Sequence, residues 1–318
     1  MTSRPDRAAL VAFARDSIAR GSKSFAMASR LFDRETRERA WLLYAWCRAT
    51  DDIADGQEMG HGMSAVANPR TQLALIKART EDALAGRPTG LPAFDALGLV
   101  AAEAGIPAYY PSDVIDGFAL DSIGFRPRTE QELYRYCYHV AGAVGCMMAI
   151  VMGVPADDDA TLDRACDLGM AFQLANIARD IAEDGAADRC YLPREWLAEM
   201  DIPENKLLNP EYRPRLAVLA ARLADRAGRY EASARYGAAA LPFRSAWAVL
   251  AAAGIYGDIA RAVKRLGASA WDNRVTTSRA DKLGWAILAA VQARSRASYP
   301  DPGRDGLWSR ATLRSTAR

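Results

Sequence analysis

The chain has 318 residues, of which 50% are hydrophobic and 25% charged, and this composition excludes a disordered chain. The formal net charge of +2 argues against a nucleic-acid binder, whose domain is normally visibly basic. Only two histidines are present, His61 and His139, which disfavours a His-rich metal site and a Ser-His-Asp hydrolase, so any metal ion should be a hard cation held by carboxylates.

Apolar residues recur at three- and four-residue spacing almost everywhere, and no alternating β-branched run predicts a strand. Gly and Pro interrupt the pattern at several places, but none of these breaks is long enough to be a linker between two domains. After residue 298 the rhythm stops, so we expect one all-α domain at 1–298 and a disordered tail at 299–318. The predicted helices, in chain order, cover about 6–20, 23–31, 35–55, 70–85, 92–105, 111–121, 129–153, 158–184, 193–199, 211–236, 242–266 and 277–297.

The compartment is predicted from the cysteines and the apolar stretches. Five cysteines without a CxxC pair indicate reduced thiols and a cytoplasmic location. The N-terminal residues are charged and show no apolar signal-peptide core. The uncharged stretches 140–156 and 245–257 are short for a membrane span of roughly 20 residues, so we expect core helices and no transmembrane anchor.

A first acidic motif lies near the end of the helix predicted at 35–55. Tyr44, Arg48, Asp51 and Asp55 are separated by four, three and four residues, so they share one helix face. An isolated DxxxD pair is most often a solvated helix end. Two carboxylates placed in this way are also suited to Mg²⁺, which binds one or two protein carboxylates together with water and substrate phosphates.

A second, more specific motif lies on the helix predicted at 158–184. Gly169, Gln173, Asn176, Asp180 and Asp184 are spaced by four, three, four and four residues and form a polar stripe on an otherwise apolar helix. The stripe could be the solvent face of an amphipathic helix. However, Gln and Asn stand where a surface helix usually has Lys and Glu, and no cation four residues on relieves the aspartates.

The two DxxxD pairs together predict a cavity with acids on opposite walls. Four carboxylates repel one another unless divalent cations neutralise them, and a diphosphate ligand would complete the metal shell. Arg48, Arg179 or Lys23 could contact its oxygens. The constellation favours a helical enzyme that ionises a diphosphate ester. The alternative is a helical carrier of apolar ligands in which the aspartates are surface acids.

The residues resemble the squalene/phytoene synthase family of head-to-head prenyl transferases. The stripe from Gly169 to Asp184, followed by Arg189-x-Tyr191-x-Pro193, matches the signature of that family at every characteristic position. Residues 136–145, 22–25 and 44–55 are similar to its central helix, its N-terminal flap and its first aspartate motif. Tyr256 and Arg274 are similar to a cavity tyrosine and a late arginine. The resemblance covers roughly residues 10 to 295.

The resemblance implies an all-α isoprenoid-synthase bundle around a deep cavity, in which two allylic diphosphates bind. It implies that Mg²⁺, replaceable by Mn²⁺, is held by Asp51, Asp55, Asn176, Asp180 and Asp184. The aspartates and Tyr136 would be the catalytic residues. Residues implied to bind substrate are Ser22, Phe25, Tyr44, Arg48, Val140, Val144, Gln173, Asn176, Arg179, Arg189, Tyr191, Tyr256 and Arg274.

The substrate length stays open between two C20 and two C15 prenyl diphosphates. The motifs at 44–57 and 189–193 look most like those of the bacterial members that form the C40 hydrocarbon phytoene, without NADPH. The alternatives are the squalene-, dehydrosqualene- and hydroxysqualene-forming members, or a degenerate member that assists another enzyme. Because the substrates are amphiphilic and the product is insoluble in water, we also expect transient contact with the inner face of the membrane. The sequence does not locate that contact.

Overall fold

The computed structural model describes residues 6–56, 68–295 and 300–316. His61 and the side chains of Lys23 and Asp55 lie outside the described residues. Within those ranges the chain forms helices and no strand, so the all-α prediction is confirmed. The α-helices are α1 (Arg7–Gly21), α2 (Lys23–Ala28), α3 (Arg34–Asp55), α4 (Pro69–Leu84), α5 (Pro92–Ala104), α6 (Tyr109–Ser122), α7 (Glu130–Cys137), α8 (Ala143–Val151), α9 (Asp159–Ala186), α10 (Arg194–Glu199), α11 (Arg213–Gly237), α12 (Phe243–Leu266), α13 (Arg279–Arg294) and α14 (Ala311–Thr316).

Most helix ends follow local chemistry that the sequence already displays. The Asn68 side chain accepts a hydrogen bond from the backbone N–H of Thr71 and caps α4, whose first residue is a proline. Gly105 ends α5 in the left-handed region at a φ of 72°, which is accessible to glycine without a steric penalty. Because these signals are local, the predicted and observed bounds differ by only a few residues.

Contacts group the chain into two compact units, which are described separately. Unit 1 comprises residues 1–122 and 146–159, and in its described part α1, α3 and α5 pack together, with α4 against α5 and α6. Its core includes Trp46, whose Nε1 donates to the Thr80 hydroxyl at 3.3 Å. The close approach of α4 and α5 depends on Gly98, where a Cβ would overlap the Ala83 carbonyl oxygen.

Unit 2 comprises residues 123–145 and 160–318, and in its described part α11 and α13 both pack on α12. The single domain predicted at 1–298 stays a prediction. One stretch of the described residues, Phe243–Ser269, is long and apolar enough to cross a membrane, with a mean hydropathy of 1.3. Half of that apolar window is buried inside the protein, as in a core helix, so this is weak support for a span.

The helix predicted as continuous over 129–153 is interrupted by a π turn at Tyr138–Gly142. A π turn widens the helix by one residue per hydrogen-bonded ring, and such turns occur often at functional sites. Apolar spacing cannot reveal it, because an α-helical turn and a π turn carry nearly the same apolar pattern. The turn begins two residues after Tyr136, one of the predicted catalytic residues.

Residues 300–313 differ from the frayed tail that the sequence predicts. Trp308 is buried, and the Arg304 guanidinium forms ion pairs with Asp163 at 2.9 Å and Asp167 at 2.8 Å, both on α9. The Pro, Gly and Arg that interrupt the helical rhythm here prevent a long helix but not tight packing. Periodicity detects helices, and it misses an irregular segment held by ion pairs.

Candidate active site

The first aspartate motif lies at the end of α3 in unit 1, where Arg48 is paired with its acids. Arg48 Nη1 contacts Asp51 Oδ2 at 2.7 Å and Asp52 Oδ1 at 3.5 Å. The contact between Arg48 and Asp51 agrees with the helix face predicted from the spacing, and Asp52 is an additional partner of Arg48. The guanidinium offsets part of the repulsion between neighbouring carboxylates, and its own positive charge makes this face a place where an anion can also bind.

Tyr44 lies one turn before Arg48, close to Phe25 of α2. The two ring centroids are 6.1 Å apart. The Tyr44 hydroxyl is buried and forms no hydrogen bond of normal geometry, and a Cβ at Gly21 would lie 2.5 Å from it. Burial raises the pKa of Tyr44, and the nearby Arg48 guanidinium opposes that rise. The phenol therefore stays neutral and keeps its O–H available to a polar ligand.

Ser22, which is in the predicted substrate-binding set, also has a structural role as the N-cap of α2. Its hydroxyl accepts a hydrogen bond from the backbone N–H of Phe25 at 3.2 Å and caps α2. The Phe25 side chain is exposed, so α2 carries an aromatic ring at the surface. The cap orients the start of α2 and with it the ring of Phe25 against Tyr44.

The second motif lies on α9 in unit 2, and the helix has a polar side and an apolar side, as predicted. The polar residues of the stripe, Gln173, Asn176, Asp180 and Asp184, are all half-buried. The apolar residues between them are buried, namely Leu174, Ile177 and Ile181. A stripe of half-buried amide and carboxylate oxygens on a helix with a buried opposite face is suited to bind a cation.

Gly169 begins the stripe because α9 there touches the backbone of the π turn. A Cβ on Gly169 would overlap the carbonyl oxygen of Ala141, and it would come within 2.8 Å of the Gly142 Cα. Gly145 makes the corresponding approach to the Ala165 carbonyl. The glycines therefore bring α9 and residues 138–145 into direct backbone contact, which places the stripe relative to the segment that carries Tyr136.

Asp180 is surrounded by two arginines. Arg179 donates to both of its oxygens, from Nε at 2.7 Å and Nη2 at 2.6 Å, and Arg274 lies 3.2 Å from Asp180 Oδ1 and also pairs with Glu183. Burial is the largest influence on the pKa of Arg179 and lowers it, but the hydrogen bond to Asp180 and the attraction of nearby negative charges together raise the pKa above its usual value. The sequence has no cation four residues after Asp180, but Arg179 pairs with it from the preceding position and the fold brings in Arg274 from 94 residues away.

Aromatic rings gather in two places in unit 2. Tyr136 stacks on Tyr191 with centroids 4.7 Å apart and on Phe125 at 5.7 Å, so the three rings form a column. Phe172 stacks on Tyr256 at 4.1 Å, and burial raises the pKa of Tyr256 while Arg179 opposes the rise. The sequence does not single out Phe125, which lies in a loop without helical spacing. The column is of interest because aromatic faces stabilise cations.

Three further predicted residues are placed but not tested as ligands. Val140 lies in the π turn and Val144 in α8, and both are half-buried, whereas their neighbours Gly142 and Ala143 are buried. Arg189 follows α9, and its backbone N–H donates to the Asp184 carbonyl at 2.8 Å. The substrate contacts assigned to these residues stay predictions.

Comparison of the sequence with known proteins shows which family the chain belongs to. The family model for squalene/phytoene synthase matches residues 18–281. The chain belongs to the squalene/phytoene synthase family. Among its relatives, 15-cis-phytoene synthase from Pantoea ananas is 45% identical over 300 residues, which span 93% of this chain and 96% of that protein. The 15-cis-phytoene synthase of a Paracoccus species is 44% identical over 302 residues, spanning 95% and 98%.

A solved structure with the same fold is that of a dehydrosqualene synthase bound to a ligand. It superposes with a TM-score of 0.80 at 26% identity, covering 91% of this chain and 98% of that one. The isoprenoid-synthase fold predicted from the motifs is therefore confirmed, as is the assignment to the squalene/phytoene synthase family. The bacterial phytoene synthases are more similar in sequence, at 44–45% identity, than this structural neighbour at 26%.

Proposed function

We propose that this family member joins two geranylgeranyl diphosphates head to head, through prephytoene diphosphate, to give phytoene and diphosphate. The observation that carries the proposal is the complete polar stripe of α9 in a chain 45% identical over 300 residues to a 15-cis-phytoene synthase. The C15 alternative, squalene or dehydrosqualene formation, is supported at the level of the fold. Family membership and these relatives confirm the prediction of a prenyltransferase.

The family depends on a divalent metal ion, and we propose Mg²⁺, replaceable by Mn²⁺. Its oxygen donors would be Asp51, Asp55, Asn176, Asp180 and Asp184. The described donors fit such an ion, because carboxylate and amide oxygens stand half-buried on helix faces that already attract positive charge, as the guanidiniums at Asp51 and Asp180 demonstrate. When bound, the ion would act as a Lewis acid toward the diphosphate oxygens.

The arginines supply the binding of the diphosphates. Arg48, Arg179, Arg189 and Arg274 are the proposed partners of the phosphate oxygens. Arg179 and Arg274 are supported best, because both guanidiniums lie at Asp180. A planar guanidinium can exchange a carboxylate for a phosphate while keeping paired N–H···O bonds. Substrate binding would thus release Asp180 from its arginines and leave its oxygens available for the metal ion.

The remaining residues shape the path of the carbon chains. The allylic C–O bond of one substrate breaks with both electrons leaving on diphosphate, and the double bond of the second substrate attacks the resulting cation. Loss of a proton closes the cyclopropyl ring of the intermediate, whose own diphosphate then leaves, and rearrangement and a second proton loss give the linear product. The column of Phe125, Tyr136 and Tyr191 would place aromatic rings beside the path of a cation, and Val140 and Val144 would exclude water. Ser22, Phe25, Tyr44, Gln173 and Tyr256 complete the proposed substrate set.

The substrate length is tested by product analysis. Purified protein with Mg²⁺ and geranylgeranyl diphosphate should release two diphosphates per C40 hydrocarbon, without NADPH. Mass spectrometry of the extracted products, in parallel with farnesyl diphosphate with and without NADPH, measures this. A C30 product from farnesyl diphosphate, with no turnover of the C20 substrate, would contradict the proposal and favour the squalene branch.

We also propose a cytoplasmic enzyme that touches the inner face of the membrane through α13. On this helix Leu283, Ile287 and Val291 follow one another at four-residue spacing and are 63%, 61% and 60% exposed. Leu288 widens the same exposed arc. Buried apolar side chains are the rule for helices of this chain, so a continuous exposed row needs an apolar partner.

Charge and substrate chemistry favour a lipid surface as that partner. Arg279 and Arg294 stand at the two ends of the exposed arc, where they can reach anionic headgroups while the apolar row enters the acyl boundary. The proposed substrates are amphiphiles that partition into membranes, and the product is insoluble in water. A contact on α13 would keep the enzyme beside the phase from which it draws substrate.

We expect Leu283→Ser/Ile287→Ser to release the protein from membranes. Co-sedimentation with vesicles of phosphatidylglycerol and phosphatidylethanolamine should show binding of the unchanged chain and loss of binding by the double variant. Leu208→Ser, at an exposed leucine outside α13, is the matched control and should still bind. Equal binding by all three proteins would contradict the α13 surface, as would a dimer-to-monomer change of the double variant in light scattering without any vesicle binding.

A further inference from the structure

The end of the chain forms a strap, residues 301–310, that is tied to α9 by a buried ion-pair cluster. The Arg304 guanidinium donates to both oxygens of Asp167, each at 2.8 Å, and to Asp163 at 2.9 Å. Asp167 is fully buried and also accepts a hydrogen bond from the Ser233 hydroxyl of α11. A carboxylate at such a place needs a matched cation, because an unpaired buried charge is strongly unfavourable.

Further contacts hold both ends of the strap. Arg310 bonds to Asp163 at 2.7 Å, and Arg164 of α9 bonds to Asp301 at 2.7 Å. The backbone N–H of Trp308 donates to the Tyr230 hydroxyl on α11 at 3.1 Å. The strap is thus connected to α9 at Asp163, Arg164 and Asp167, and to α11 at the Tyr230 hydroxyl and the Arg229 guanidinium, which donates to the Asp305 carbonyl.

The ring of Trp308 extends these contacts to the π turn. Trp308 is buried, and its ring lies 5.1 Å from that of Tyr138, the first residue of the turn. Tyr138 is two residues after Tyr136, and the turn is the segment on which Gly169 packs. The strap therefore contacts both partners of the glycine-dependent approach, α9 through Asp163 and Asp167 and the π turn through Tyr138.

We infer that Arg304 and Trp308 are positioning residues for the reaction, which set the placement of α9 against the π turn. The inference rests on the proposed function, since the groups being placed are Tyr136 and the polar stripe. The strap acts through Asp167 and Tyr138, and loosening it lets the turn move relative to α9 while each helix stays folded.

If the strap only stabilised the fold, the expected results would be different. It would lower the melting temperature when weakened, and the folded variant would retain its turnover number. A positioning strap lowers the turnover number at temperatures where the protein is folded, because a displacement of about 1 Å costs roughly a hundredfold in rate. It also opens the π turn to hydrogen exchange, which a global change in stability does not do selectively.

Three variants of the full-length chain separate these cases. Arg304→Lys keeps the positive charge but loses the paired N–H bonds to Asp167. Trp308→Leu keeps a buried apolar side chain but loses the ring contact with Tyr138. Asp305→Ala is the control, because the neighbouring residue is exposed and contributes a backbone carbonyl bond to Arg229. Each is compared by kcat and KM for the prenyl diphosphate and by hydrogen exchange resolved over 134–145 and 160–185.

We expect kcat to fall by about tenfold to a hundredfold in both strap variants, with KM little changed, and exchange to rise selectively over 138–142. The control should match the unchanged chain. Unaltered kcat and exchange in the folded strap variants, with only a lower melting temperature, would overturn the inference. If the unchanged chain forms no product, the proposed function fails, and the exchange data alone still decide whether the strap places the turn.

Discussion

Asp180→Asn is expected to lower the rate of product formation by about a thousandfold or more while leaving the helical circular dichroism unchanged. The carboxylate is a proposed metal ligand, and losing several kcal/mol of charge stabilisation in the transition state corresponds to a rate loss of that size. An amide also cannot balance Arg179 and Arg274, which then stay closer to the diphosphate. Single-turnover product formation at saturating substrate measures the effect.

Asp157→Asn provides the control for Asp180→Asn. Asp157 is an exposed acid in the loop before α9 and lies outside both motifs. The control should keep the rate of the unchanged chain, and raising the Mg²⁺ concentration should not restore Asp180→Asn. Full activity of Asp180→Asn would contradict the metal-ligand assignment and favour the reading in which the aspartates are surface acids.

Gly169→Ala should destabilise the protein by about 1–3 kcal/mol, the usual range for forcing an extra methyl group into a packed core. The added Cβ would overlap the Ala141 carbonyl, which is backbone and cannot move like the end of a side chain. Either α9 or the π turn has to shift, so turnover should fall as well. Urea unfolding and the activity of the folded protein are the two measurements.

Gly228→Ala is the matched substitution at a helical glycine with free space. No heavy atom lies within 4 Å of a Cβ built at Gly228 in α11, and the residue is exposed. Replacing an exposed helical glycine by alanine stabilises by about 0.5–1 kcal/mol. Opposite signs for the two variants would confirm that backbone contact, not helix propensity, accounts for Gly169. A stabilised Gly169→Ala would show that α9 does not depend on the close approach.

The polar stripe of α9 and the face of α3 were predictable from spacing because a helix face is a local property of the chain. Residues three and four apart meet on one side wherever the helix lies in the fold. For the same reason the spacing places Arg48 and Asp51 on one face, and the two side chains are in contact at 2.7 Å. The family resemblance likewise depends on short motifs, and the comparisons confirm it.

The partners of these motifs were not predictable in the same way. Arg274 reaches Asp180 from 94 residues away, Phe125 joins the column of Tyr136 from a loop, and Arg304 holds α9 from a tail that reads as disordered. The π turn was hidden because α- and π-turns carry the same apolar pattern. None of these features has a periodic signal.

The amino-acid sequence by itself therefore determined the helical class, the two aspartate faces and the family. Only the tertiary structure decided which arginines balance Asp180, which rings stack on Tyr136 and what holds α9 against the π turn. The physical reason is one of range. Backbone geometry places residues three or four apart on a common face, whereas contacts between separate helices and loops depend on how these elements pack.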